Sequence, residues 1–133
     1  MKKQNIIISG SARLVSKMDH WTSYWIEKGY TVIDHPKILP PFDIEAYKGA
    51  YENFYKNINE SDAIFIANEN RENIKGYIGP ETFAELSYAI VQKLVDKKKI
   101  KIILYQIPGE EVACFNEVKL FIELKLIDEI LNV

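Results

Sequence analysis

Two kinds of hydrophobic pattern alternate along this chain. Short β-branched runs stop abruptly at a glycine or a polar residue, and between them lie longer stretches with an apolar side chain at every third or fourth position. The first pattern is that of strands buried on both faces, and the second that of helices with one apolar side. Asn5 to Ser9 is the first such run and ends at Gly10. From about Ser16 to Lys28, Met18, Trp21, Tyr24 and Trp25 recur at helical spacing, and Gly29 supplies the stop. Tyr30 to Asp34 reads as a second strand. His35-Pro36 through Pro40-Pro41 reads as an extended connection that the prolines keep out of a helix.

The second half repeats the alternation. Asp43 caps a helix to about Glu60, with Ile44, Tyr47, Tyr51, Phe54, Tyr55 and Ile58 along its apolar side. Asp62 to Asn68 is a third buried strand, followed by the polar loop Glu69 to Asn73 and then by Gly76-Tyr77-Ile78-Gly79-Pro80. A helix from Thr82 to about Val95 turns Phe83, Leu86, Ile90 and Leu94 inward. Lys99 to Tyr105 forms a fourth strand, broken by Pro108-Gly109. In the tail, parts of Glu117 to Leu126 also alternate as a strand would, but a helix to about Leu124 and a short element after it fit the pattern best. Strands alternating with helices over one small domain predict an α/β fold of three layers, α/β/α, with a parallel, flavodoxin-like or Rossmann-like sheet of four to five strands.

Length keeps this to a single domain, residues 1–133. The formal net charge of -2 excludes an electrostatic nucleic-acid binder, because the one basic run, at Lys97-Lys98-Lys99, sits where a helix ends and complements its dipole. A single cysteine, Cys114, forms no internal disulfide and fits a reducing compartment. The N-terminal apolar run is too short for a signal peptide and no stretch reaches the length of a membrane span, so a cytoplasmic location and no membrane partner are expected. No metal-ligand spacing occurs, and the lone Gly10 falls far short of a dinucleotide fingerprint, so neither metal nor organic cofactor is expected.

Candidate chemistry gathers where strands end, the edge at which open α/β sheets bind ligands. Ser9-Gly10-Ser11-Ala12-Arg13 closes the first strand, Asp34-His35 the second and Asn68 the third. Arg13 suits a phosphate or carboxylate, and serves equally as a surface arginine. Gly79 to Thr82 opens a helix whose N–H groups suit developing negative charge. Thr82 reads as its N-cap, and Glu85, three residues on, completes a capping box; in that position it either closes the cap or, kept ionised by the helix dipole, serves as a carboxylate in a site.

Asp62-Ala63-Ile64-Phe65-Ile66-Ala67-Asn68, Gly76-Tyr77-Ile78-Gly79, Thr82 and Glu85-Leu86-Ser87-Tyr88-Ala89 together resemble the nucleoside 2-deoxyribosyltransferase family. Gly79-x-x-Thr82-x-x-Glu85 is also similar to the glycine-threonine-glutamate signature of the cytokinin-activating nucleotide phosphoribohydrolases, the lysine-decarboxylase-like group. The specific part spans Asp62 to Ala89. The resemblance implies cleavage or transfer of the N-glycosidic bond of a nucleoside or nucleoside 5′-monophosphate, with Glu85 as the nucleophile. Ser9, Gly10, Ser11 and Arg13 would hold sugar or phosphate, with the Arg13 fork leaning the reading toward a nucleoside 5′-monophosphate, Gly79 and Thr82 would present backbone donors, and Asn68, Tyr77 and Glu81 would line the pocket. It further implies a homo-oligomer, to which the apolar tail from Phe115 to Val133 would contribute unless it packs on its own sheet. The chain departs from the family in having no aspartate in Tyr51-Glu52-Asn53-Phe54-Tyr55, where the transferases carry one to exchange a proton with the base. That departure points to the alternative of a non-catalytic nucleotide-binding module. Gly10-Ser11-x-Arg13 leaves a flavodoxin-like redox protein as a third reading.

Overall fold

The computed structural model describes residues 2–133. Five strands form one sheet in the order β2-β1-β3-β4-β5, with every neighbouring pair parallel: β1 (Gln4–Ser9), β2 (Tyr30–Asp34), β3 (Ala63–Ile66), β4 (Lys101–Leu104) and β5 (Glu129–Ile130). Four helices connect them: α1 (Met18–Glu27), α2 (Ile44–Asn59), α3 (Pro80–Leu94) and α4 (Phe115–Glu123). The three-layer parallel architecture expected from the alternation is the one observed. The 3-10 turn Ala12–Lys17, which the small-residue loop did not announce, intervenes between β1 and α1.

Handedness distributes the helices. The chain moves one way from β1 to β2 and the opposite way through β3, β4 and β5, so right-handed crossovers put α1 on one face and the other three helices on the other. Strand alternation serves both faces. Ile7, Ile64, Ile66, Ile102 and Leu104 pack with Ile58, Leu86, Ala89, Ile90 and Val118 from α2, α3 and α4. Ile6, Ile8, Phe65 and Ile103 pack with Met18, Trp21 and Trp25 from α1. A single helix suffices on that second face because its side chains are large: the ring centroids of Trp21 and Trp25 lie 4.7 Å and 5.1 Å from that of Phe65.

The start of α3 and the exposure of Leu94 differ from the sequence reading for identifiable reasons. Helix α3 starts at Pro80, with Gly79 at the N-cap and no side-chain cap, because proline is already set for the first helical position. Thr82 is therefore the third helical residue, buried at 5% exposure, and there is no capping box. At the other end Leu94 is 47% exposed, since by then α3 has passed the edge of the core it covers. The tail packs on its own sheet. Val118 and Leu126 are buried, and β5 docks through Asp128 N–H to Ile102 O at 2.8 Å and Leu131 N–H to Leu104 O at 3.0 Å.

Asn68 ties the carboxyl ends of β3 and β4 to the glycine loop. Its Oδ1 accepts the N–H groups of Tyr105 and Gln106 at 3.0 and 3.3 Å, and its Nδ2 donates to the carbonyls of Gln106 and Gly76 at 2.7 and 3.3 Å. Gly76 must be glycine there. Its φ is +62°, and an added Cβ would stand 2.8 Å from the Pro108 Cα.

Candidate functional site

A cavity of about 280 Å³ opens at the carboxyl rim of the sheet, beside the switch point between β1 and β3, and its size is near the lower end for small-molecule sites. Four segments enclose it. The first two turns of α3 contribute Glu81 and Glu85. The first three turns of α2 contribute Tyr47, Ala50, Tyr51, Asn53 and Phe54. The end of β2 and the chain after it contribute Asp34, His35, Pro36, Lys37 and Leu39, with Gly10 and Ala12 from the β1 loop completing the wall.

Glu85 and Ser9 form the inner end. Ser9, fully buried at the last position of β1, donates its hydroxyl to Glu85 Oε1 at 2.5 Å. Starting α3 at Pro80 places Glu85 in the second turn, out of reach of its own helix terminus and directed at the strand end. Burial pushes its carboxyl up from the ordinary 4.5 to about 7; the charges of Glu81 and Asp34 push the same way and the Ser9 hydrogen bond opposes them. This corrects the expectation of a dipole-stabilised carboxylate charged throughout the neutral range. Desolvation outweighs the dipole because Glu85 lies beyond the first turn, where the dipole is felt most.

The other polar groups are held firmly. Asp34 accepts the His35 N–H at 2.8 Å and Asn57 Nδ2 at 2.9 Å, and Lys37 Nζ lies 3.2 Å from its Oδ1. His35 Nδ1 lies 2.9 Å from the Pro36 carbonyl, which can only accept, so this nitrogen carries the hydrogen. Tyr47 donates its phenol to Glu81 Oε1 at 2.6 Å; that hydrogen bond and some burial push its own ionisation upward. Tyr47, Tyr51 and Tyr55 form a stepped row with ring centroids 6.1 and 4.7 Å apart.

Of the residues singled out in the sequence, Gly10, Asp34, His35, Glu81 and Glu85 line the cavity, and Ser9 stands directly behind Glu85. Ser11 caps the 3-10 turn through the Arg13 N–H at 3.2 Å, and Arg13 itself is exposed and outside the lining. Asn68 serves the strand ends described above. Tyr77 stacks under Arg71, whose guanidinium carbon is 4.8 Å from the ring centroid, and Gly79 and Thr82 belong to the start of α3. None of these last four lines the cavity. Conversely, Tyr47, Tyr51, Asn53 and Phe54 were missed as site residues. The row Ile44, Tyr47, Tyr51 reads as a core-facing stripe, yet these three are 78%, 48% and 47% exposed, and Tyr47 and Tyr51 border the cavity instead of the core. The concentration of tyrosine on that stripe was the available signal, since phenol oxygens suit a wet wall better than a core.

Fold and site define a doubly wound α/β/α domain with an acidic, tyrosine-walled cavity at its ligand edge. No protein-family model matches the chain, and no curated protein matches it significantly. Among the described residues no helix is long and apolar enough to cross a membrane, and no group of three or more His, Cys, Asp or Glu side chains is placed to hold a metal ion.

Proposed function

We propose that this cavity binds a nucleoside and cleaves or transfers its N-glycosidic bond through Glu85. The observation that carries the reading is the Ser9-Glu85 pair at the inner end of a cavity on the sheet's carboxyl rim, since a glycosyl-transferring nucleophile has to be a carboxylate fixed under the sugar. In its ionised form Glu85 attacks the anomeric carbon, the bond to the base breaks, and the glycosyl ester passes to water or to a second base. Ser9 keeps the attacking oxygen oriented. A carboxyl that ionises near pH 7 keeps substantial basicity and still offers its charged form at physiological pH.

The nucleoside is favoured over its 5′-monophosphate. Arg13 lies outside the lining, and Lys37, the lining ammonium, is already engaged by Asp34. The test is release of free base from a panel of nucleosides and deoxynucleosides, with and without an acceptor base. Glu85→Ala is expected to lower the rate by roughly a thousandfold or more, as removal of a covalent nucleophile does. Unchanged turnover in that variant refutes the assignment. A non-catalytic nucleoside-binding module is the second reading, favoured by Asn53, an amide on the α2 wall where an acid would protonate the leaving base. Ligand binding without base release by the wild type, retained in Glu85→Ala, selects it.

A further inference from the structure

Resting on the glycosidic reading above, we propose that the cavity selects nucleosides whose base is already a cation, of which a pyridinium riboside is the simplest.

Three features of the lining converge on this. First, its carboxyl groups are Asp34, Glu81 and Glu85, against the single ammonium of Lys37, so it is net negative whichever way Glu85 is charged. Second, the α2 wall offers the rings of Tyr47 and Tyr51, inclined 35° to each other, and aromatic rings of this kind attract a flat cation. The Tyr47 phenol donates to Glu81, which draws negative charge onto that ring and strengthens its attraction for a cation. Third, apart from the Tyr51 phenol and the Lys37 ammonium, the latter engaged by Asp34, the wall is poor in proton donors for a leaving base. Asn53 is an amide, Glu81 is held as the acceptor of Tyr47, and the His35 Nδ1 hydrogen is spent on Pro36. A neutral nucleoside needs such a donor, because its base otherwise leaves as an anion. A cationic base does not.

The step balances without one. A Glu85 oxygen forms a bond to the anomeric carbon as the bond from that carbon to the ring nitrogen breaks. The electron pair of the broken bond stays on the nitrogen, and the pyridinium becomes a neutral pyridine. Water then attacks the anomeric carbon, the ester pair returns to Glu85, and the water's second proton goes to solvent. The products are free sugar, neutral base and one proton.

A bound cation also prepares its own nucleophile. Glu85 faces Glu81 and Asp34, with Lys37, His35, Tyr47 and Tyr51 around the same cavity; burial, to which these acidic neighbours add, holds its carboxyl protonated up to about 7. A positive ring beside it opposes them and favours the ionised form. An anionic phosphate would do the reverse.

The experiment measures Glu85-dependent base release from nicotinamide riboside, nicotinamide mononucleotide, inosine and deoxyadenosine, each corrected by its rate with Glu85→Ala. The expected kcat/KM for nicotinamide riboside exceeds those for inosine and deoxyadenosine by about a hundredfold, and the added phosphate of the mononucleotide lowers it by about tenfold, as charge complementarity of this kind produces. The kcat profile for nicotinamide riboside is expected to have its lower midpoint below that of kcat/KM. Equal or faster Glu85-dependent release from inosine or deoxyadenosine overturns the cation preference and leaves the glycosidic function standing. No Glu85-dependent release from any substrate removes both. Binding provides an arm free of catalysis: wild-type protein should bind 1-methylnicotinamide, a cation, more tightly than neutral nicotinamide, with the difference reduced in Glu81→Gln. Equal binding of the two overturns the proposal.

Discussion

Replacing Glu85 with glutamine should stabilise the protein, and should do so only at the upper end of the pH range. Glutamine has the shape of the protonated carboxyl, and its Oε1 can still accept the Ser9 hydroxyl that Glu85 accepts at 2.5 Å. In the folded protein the Glu85 carboxyl is raised from an ordinary 4.5 to about 7, so the folded state holds its proton more tightly than the unfolded chain does. Between those two values the folded state binds more protons, and stability falls as pH rises through the window and levels off above about 7. A rise of this size corresponds to on the order of 3 kcal/mol once both states are ionised. Urea unfolding of both proteins at constant ionic strength and at several pH values measures this directly, because the other titrating groups are common to both and cancel in the difference. Glu85→Gln should exceed wild type by on the order of 3 kcal/mol near pH 8.5 and by less than about 1 kcal/mol near pH 5. A difference that is flat with pH, or that grows on acidification, would refute the burial argument and with it the account of how the site holds its carboxyl.

Other changes probe the neighbouring structure. Ser9→Ala removes the one interaction that lowers the Glu85 carboxyl, so the acid limb of a kcat/KM profile should move above its wild-type midpoint; an unmoved or lowered midpoint contradicts the assigned role. Gly76→Ala forces a side chain into φ +62° and against the Pro108 Cα, and should cost at least about 2 kcal/mol in thermal or urea unfolding. Asn68→Ala leaves buried strand-end groups unpaired, and a loss of roughly 2 to 4 kcal/mol in urea unfolding is expected; a neutral result would show that water replaces the amide without cost.

Much of the frame was legible because the signals that specify it are local. The continuous run Ile6-Ile7-Ile8 supplies both faces of a central strand, and β2 lies where Tyr30 to Asp34 predicted it. Asp43 reads as a cap and is one, its Oδ1 accepting the Ala46 N–H at 2.9 Å. The turn before α3 was misread because Pro80 and Thr82 both mark helix starts, and proline, two residues earlier, prevailed. The N-cap thereby moves three residues, from Thr82 to Gly79, which removes Glu85 from its supposed cap and turns it toward the strand end.

The order of short β-branched runs and helical stripes thus determined the parallel α/β frame, and chain connectivity with right-handed crossovers determined which helix lies on which face. What only the tertiary structure decided is the chemistry. Glu85 meets Ser9 across 76 positions of sequence, Tyr47 meets Glu81 across 34, and the tyrosine stripe of α2 became a cavity wall while Arg13 stayed outside. Periodicity reports which side of an element is apolar, but the ionisation of a carboxyl depends on the water it loses and the charges it meets, and those are set by segments far apart in the chain.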